Sequence, residues 1–343
     1  MTFSQNIISW YLQHKRALPW RDTKDPYKIW LSEVILQQTR VAQGLPYYEK
    51  FIQSFPTVLD LAQADEQQVL KIWQGLGYYS RARNLHHTAQ IVANEFGGVF
   101  PTTYNELLKL KGIGSYTAAA IASFSYGEPV AVLDGNVYRV LSRYFGIETD
   151  ISSSRAKKEF QQLADEVLDR SRPWLFNQSI MEFGALQCVP KNPNCENCVL
   201  SEQCVALKER KVNQLPVKLK KTKVTSRFLH YLVFSDNQNK TMIQKRGGGI
   251  WKNLYEFPFL EFEQETSLDE VEAKIRFEHT GFGIQSLYVF DEKPLVHKLS
   301  HQHLYIYFWK VEIIEELSNS CSILQLKEYP FPIVLYNFIR EKL

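Results

Sequence analysis

Apolar residues recur at spacings of three and four through residues 7–14, 26–38, 66–79 and 136–146. Side chains at those spacings share one face of an α-helix, so the first 211 residues predict a helical domain whose helices each bury a stripe. From about residue 225 the pattern changes. Short runs at 228–235, 241–246, 286–290 and 303–313 are rich in apolar residues and partly alternate with polar ones, as strands do. A helical stretch at 269–278 falls among them. The fold expected is multi-domain: an all-α domain over 1–211, a linker over 212–227 and an α+β domain over 228–343.

The 343 residues are 45% hydrophobic and 13% aromatic, enough for two cores. The net charge of +3 is unevenly spread: residues 1–211 hold 23 Lys and Arg against 21 Asp and Glu, and 228–343 hold 12 against 16. The linker carries five basic residues and no acid, a composition that stays solvated and can also meet a polyanion. No run of about 18 uncharged apolar residues exists, and the N-terminus lacks a basic region followed by an apolar one. The expectation is a soluble, intracellular protein with no membrane partner, in a compartment that keeps thiols reduced.

Four of the five cysteines, Cys188, Cys195, Cys198 and Cys204, fall within 17 positions. Four thiolates on one short loop can hold Zn²⁺ or an iron–sulfur cluster. A zinc ribbon usually pairs two CxxC units across a longer spacer, whereas here a single CxxC has outer gaps of six and five. Cys321, alone downstream, reads as a small buried hydrophobe. Upstream, residues 108–121 join two helices through Gly112, Ile113 and Gly114. The glycines allow close backbone approach, and free N–H groups at the new helix start can bind a phosphate without reading sequence.

The cysteine loop and this hairpin together resemble the helix-hairpin-helix DNA glycosylases of the endonuclease III type, which carry a C-x6-C-x2-C-x5-C [4Fe–4S] loop. The resemblance covers nearly all of 1–211. It is finer at 32–39, 75–85 and 133–137, which look like the adenine DNA glycosylases that act opposite 8-oxoguanine. It implies a [4Fe–4S] cluster on Cys188, Cys195, Cys198 and Cys204, with Gly112, Gly114 and Lys191 at DNA phosphates.

Glu33 has Ile29, Trp30, Leu36 and Gln37 as helical neighbours, a largely apolar stripe on which burial favours the protonated carboxyl. By the resemblance, Glu33 protonates N7 of the extruded adenine. Asp134 follows the apolar run 130–133 and precedes a helix, the position of an N-cap. In the family it also faces C1′, where it stabilises or attacks an oxocarbenium-like centre, the logic of a retaining glycosidase. Asn136 would orient it. Bifunctional members place a lysine where this chain has Tyr116; a phenol forms no Schiff base, which implies a monofunctional enzyme that leaves an abasic site. The phenol is then free to touch Asp134 or the intermediate. Arg16, Leu18, Trp20 and Arg21 resemble the wall of the adenine pocket, and Gln178 a reader of the base edge. Gln38 and Tyr78 match residues that enter the duplex around 8-oxoguanine.

Residues 246–258 look like the Gly-rich entry to a Nudix-type fold. The Nudix hydrolase helix with its clustered metal-binding glutamates is missing, since Phe277 follows the only candidate arginine, Arg276. In the adenine glycosylases such a domain reads 8-oxoguanine through a Phe-Ser-His loop; here Leu299, Ser300 and His301 stand in that place, Leu for the usual Phe. The function implied is a monofunctional DNA glycosylase of base excision repair, acting on double-stranded DNA with A·8-oxoG or A·G mismatches. It is expected to be a monomer, cytoplasmic and nucleoid-associated in a bacterium. Tyr116 and the C-terminal domain disfavour an endonuclease III-like glycosylase/lyase, and Glu33 with Asp134 disfavours a non-catalytic lesion-binding protein.

Overall fold

The computed structural model describes residues 2–219 and 223–343. In chain order the helices of the first part are α1 (Phe3–His14), α2 (Pro26–Leu36), α3 (Val41–Ser54), α4 (Val58–Gln63), α5 (Glu66–Trp73) and α6 (Ser80–Phe96). They continue as α7 (Tyr104–Leu107), α8 (Ser115–Tyr126), α9 (Gly135–Phe145), α10 (Ser154–Val167), α11 (Pro173–Leu186) and α12 (Val205–Lys208). Caps set several starts. Thr2 and Gln5 form a capping box on α1, Asp25 with Pro26 opens α2, and the Asp134 side chain accepts from the N–H of Val137 to open α9. The helix expected over 66–79 stops at Trp73. The chain then runs through Gly75 at φ 104°, Gly77 at φ 73° and Tyr78 at φ 48°, left-handed backbone that no helix contains.

The molecule divides into two compact units: Met1–Gln63 with Asn84–Lys220, and Ala64–Arg83 with Lys221–Leu343. A single cut at 212–227 does not describe that division, because 64–83 joins the sheet-bearing unit. Hydrogen bonds hold it there, among them one from Arg83 to the Lys252 carbonyl at 2.9 Å. Asn253 donates to Glu66 at 2.6 Å, the Tyr255 hydroxyl to Gln67 at 3.2 Å, and Lys71 to the Tyr329 carbonyl at 3.0 Å. The expected linker also resolves differently. Leu215 is buried and Ile151 donates to the Val217 carbonyl, so this end packs on the helical unit, while strand β1 (Thr225–Ser235) already occupies the other end. Residues 220–222 lie outside the described residues.

In the helical unit α8 lies at the centre of the core; its run from Ala118 to Ala122 is buried to 2% exposure or less, and small side chains let α2 approach. The second unit adds β2 (Lys240–Thr241), β3 (Gln244–Lys245), β4 (Tyr255–Glu256), β5 (Phe259–Phe262), α13 (Leu268–Glu278), β6 (Ile284–Val289), β7 (Leu295–Lys298), β8 (Gln302–Ile313), β9 (Cys321–Ser322) and α14 (Ile333–Lys342). The main sheet runs β5–β1–β8–β6, with β7 also on β8. β1 and β8 are parallel, in register from Thr225 opposite Gln302 to Ser235 opposite Glu312, and the other pairs are antiparallel. Leu232, Phe234, Trp309 and Val311 pack with Val271 and Ile275 of α13 on one face of the sheet. The run 241–246 yields only parts of two short strands.

Candidate active site and cysteine loop

A cleft of about 1110 Å³ in the helical unit is lined by Arg16, Leu18, Trp20, Arg21, Glu33, Gln38, Gly112, Gly114, Tyr116, Asp134, Asn136 and Gln178. Residues from the 16–21 loop, α2, the hairpin, α9 and α11 therefore meet in one place. Glu33 sits on α2 at 7% exposure, one turn after the buried Ile29 and Trp30. The Tyr116 hydroxyl donates to its Oε2 at 2.6 Å. Burial pushes the Glu33 carboxyl up to about 7; the Tyr116 hydrogen bond opposes that rise, the charge of Asp134 adds to it, and Arg21 opposes it. Burial, with the neighbouring carboxylates, holds the phenol protonated far above its ordinary range. Its hydroxyl bonds Glu33 and the Met181 sulfur, at 3.8 Å, and not Asp134.

Asp134 is the N-cap of α9 and still keeps its second oxygen in use: Oδ1 accepts from Val137 N at 2.7 Å and Oδ2 from Asn136 Nδ2 at 2.8 Å. Burial raises this carboxyl, and those donors and the charge of Arg139 oppose the rise. Asn136 is fixed in turn, because its Oδ1 accepts from Arg139 at 2.8 Å. Arg139 also donates to the carbonyls of Gly184 at 2.6 Å and Cys188 at 2.7 Å. Gly184 has to be glycine here, since a Cβ would lie 2.7 Å from that of Asn136. Arg139 carried no sequence signal of its own.

Arg16 and Arg21 reach the cleft wall, where most of their donors are engaged and the buried Nε of Arg21 has no hydrogen-bond partner. Both guanidinium groups close on Glu182, at 2.5 and 2.6 Å. Glu182 is 1% exposed. Burial works against its charge, yet the bonds from Arg16 and Arg21 hold its carboxyl down at about 2. Sequence reasoning passed over this residue, although it lies one helical turn after Gln178 on the cleft-facing side of α11. Leu18 and Trp20 are buried, with Trp20 edge-on to Tyr48 at 5.0 Å. Gln38 is exposed and held at φ 55°, a left-handed conformation uncommon outside glycine and asparagine. In the hairpin, Gly112 is at φ 88° and packs where a Cβ would come within 2.9 Å of Asn84; Gly114 starts α8 with open space around it.

Tyr78 belongs to the second unit and is 47% exposed. Leu299, Ser300 and His301 form the tip between β7 and β8, closed by Leu299 N donating to Gln302 O at 2.8 Å. Ser300 Oγ lies 3.4 Å from His301 Nδ1, and both side chains are exposed. On α13, Glu272 is paired with Arg276 at 2.9 Å and Phe277 is 80% exposed.

Cys188, Cys195, Cys198 and Cys204 are unbridged and half-buried. Burial and the other three thiols push Cys198 up to about 11, so as a free thiol it stays protonated. Arg143 lies 3.4 Å from Cys188 Sγ and donates to the carbonyls of Val189 and Pro190, which fixes the start of the loop. Among the described residues no three Cys, His, Asp or Glu side chains converge on a single ion. A cluster gives its thiolates separate irons and requires no such point, and an all-sulfur donor set beside a cation fits it. Lys191 is exposed within the loop. Cys321 is half-buried in β9.

Residues 31–166 match the HhH-GPD superfamily of base excision DNA repair proteins, and residues 230–341 match the NUDIX domain. An adenine DNA glycosylase of Buchnera aphidicola (Schizaphis graminum) is 39% identical over 306 residues, covering 89% of this chain and 86% of the relative. The adenine DNA glycosylase of Homo sapiens is 44% identical over 222 residues, covering 62% of this chain and 41% of that one. Among solved structures, a thermostable thymine-DNA glycosylase aligns with a TM-score of 0.56 at 30% identity, over 60% of this chain and 95% of its own. An endonuclease III–DNA complex shares the fold, with a TM-score of 0.52 at 21% identity, over 61% and 99%.

Proposed function

The chain belongs to the adenine DNA glycosylases, enzymes of base excision repair, and on that premise we propose that it removes adenine paired with 8-oxoguanine or guanine and leaves an abasic site. The observation that carries this reading is a buried Glu33 under the Tyr116 hydroxyl in one cleft with Asp134. A carboxyl whose burial holds it protonated to about pH 7 can give its proton to N7 of an extruded adenine as the glycosidic bond breaks. The Tyr116 hydrogen bond then stays to stabilise the carboxylate left behind. Asp134, oriented by Asn136, carries the negative charge that an oxocarbenium-like sugar needs, and water completes the hydrolysis at C1′. Tyr116 supplies no amine, so strand cleavage is not part of the reaction.

Double-stranded DNA is the partner, held at Gly112, Gly114 and Lys191, with Gln38 and Tyr78 entering the duplex. Arg16, Leu18, Trp20, Arg21 and Gln178 form the base slot, and Ser300 with His301 reads the oxidised guanine. A [4Fe–4S] cluster on Cys188, Cys195, Cys198 and Cys204 would order the loop beside the DNA and contribute no base chemistry. The protein works as a cytoplasmic, nucleoid-associated monomer. Single-turnover excision from duplexes containing A·8-oxoG, A·G and T·G, with borohydride trapping alongside, tests the reading. Adenine release from the first two, with no trapped product, is expected; thymine release or a trapped adduct would overturn it.

A further inference from the structure

Glu182 is more than a fastener for the cleft wall. Five N–H bonds converge on it: from Arg16 N at 3.0 Å, Nε at 2.8 Å and Nη2 at 2.5 Å, and from Arg21 Nη1 at 2.9 Å and Nη2 at 2.6 Å. Two cations therefore stand against one buried anion, a net charge of +1 at the edge of the cleft. Met181, the residue before it, touches the Tyr116 hydroxyl at 3.8 Å, and that hydroxyl is the one bonded to Glu33. The charged and titratable groups that face Glu33 are Tyr116 from α8, Asp134 at the start of α9 and Arg21 from the loop after α1. Around the arginine pair lie Tyr11, whose ring is 5.6 Å from the Arg21 guanidinium and 5.9 Å from Lys15 Nζ, and Asp22, whose charge also reaches Tyr11.

We infer that Glu182 is a positioning residue whose charge offsets Arg16 and Arg21 and thereby keeps the proton on Glu33. An uncompensated guanidinium beside Glu33 favours its carboxylate, and Arg21 already acts in that direction. The Glu182 carboxylate limits how far that pull goes. Its low proton affinity, set by the two arginines against its burial, means that the offset persists across the working pH range. The arginines then serve as charges on the general acid as well as walls of the base slot.

This inference rests on Glu33 being the acid. Single-turnover excision rate is measured against pH for the parent and for Glu182→Gln, Glu182→Asp, Arg16→Gln and Glu33→Gln, at saturating enzyme. The parent rate should fall above about pH 7. Glu182→Gln should move that midpoint down by about one pH unit, close to a tenfold loss at pH 8. Arg16→Gln should move it up, and Glu182→Asp, which keeps the charge, should stay near the parent. A structural lesion lowers the plateau but has no reason to shift the midpoint in opposite senses. Midpoints that stay fixed in Glu182→Gln and Arg16→Gln overturn the inference. Should Glu182→Gln fail to fold, the half-exposed Arg16 decides alone: an upward shift supports the inference and no shift overturns it. A parent without a limb near pH 7, or a limb that survives in Glu33→Gln, defeats the reading of Glu33 instead.

Discussion

A carboxyl on an apolar stripe keeps its proton because ionisation there forfeits hydration. Glu33 shows how far such a property can be read from neighbours at three and four residues, since Ile29 and Trp30 are both buried beside it. Glu33→Gln should bind A·8-oxoG duplex like the parent and lose excision by about 10²–10⁴, the usual worth of a general acid. Full activity in that variant would refute the two-carboxylate mechanism. The same residue sets a pH dependence of stability. Its folded proton affinity is raised, so its stabilising share is complete below the ordinary value of 4.5 and is lost once pH rises through about 7. Thermal melts at pH 5 and pH 8 should therefore separate the parent from Glu33→Gln at the higher pH, with the variant the more stable; equal melting temperatures there would contradict this.

Among the elements, α9 carries the most. Its first residue follows the Asp134 cap, its next turn holds Arg139, and α11 meets it at Gly184. Gly184→Ala forces a methyl against Asn136, and an overpacked contact of this kind costs about 1–3 kcal/mol. A lower melting temperature with slower excision is expected, because Asn136 can no longer hold Asp134 in place. Parental values for both would show that α11 gives way there. The hairpin was legible from Gly112 and Gly114, and at Gly112 the left-handed φ and the closeness of Asn84 require glycine. The end of α5 was not: apolar spacing ran on to residue 79, but Gly75, Gly77 and Tyr78 adopt positive φ. Periodicity records which residues favour a buried face and is silent about where the backbone turns.

At the scale of the molecule, the cysteine loop is tied to α9 through Arg139 and Arg143, and the β7–β8 tip to β1 through Thr225. Protein purified anaerobically should hold about four irons per chain by the Cys₄ assignment; one zinc and no iron after expression with ample iron would reject it. Ser300→Ala with His301→Ala should weaken preference for A·8-oxoG over A·G by one or two decades, since N7–H of the oxidised base offers a donor and Ser300 an acceptor. If preference survives intact, Gln38 and Tyr78 carry the lesion reading. Local order determined the helical half, the strands at 228–235 and 303–313, the cysteine spacing and the positions of Glu33, Tyr116 and Asp134, because each depends on residues close in the chain. Only packing decided that 64–83 joins the second unit, that Tyr116 bonds Glu33 across 83 positions, and that Arg16 closes on Glu182 across 166. Spacing along a chain fixes which face a side chain takes, whereas a partner from another helix is chosen by how the helices stack and by the high cost of a buried charge left alone.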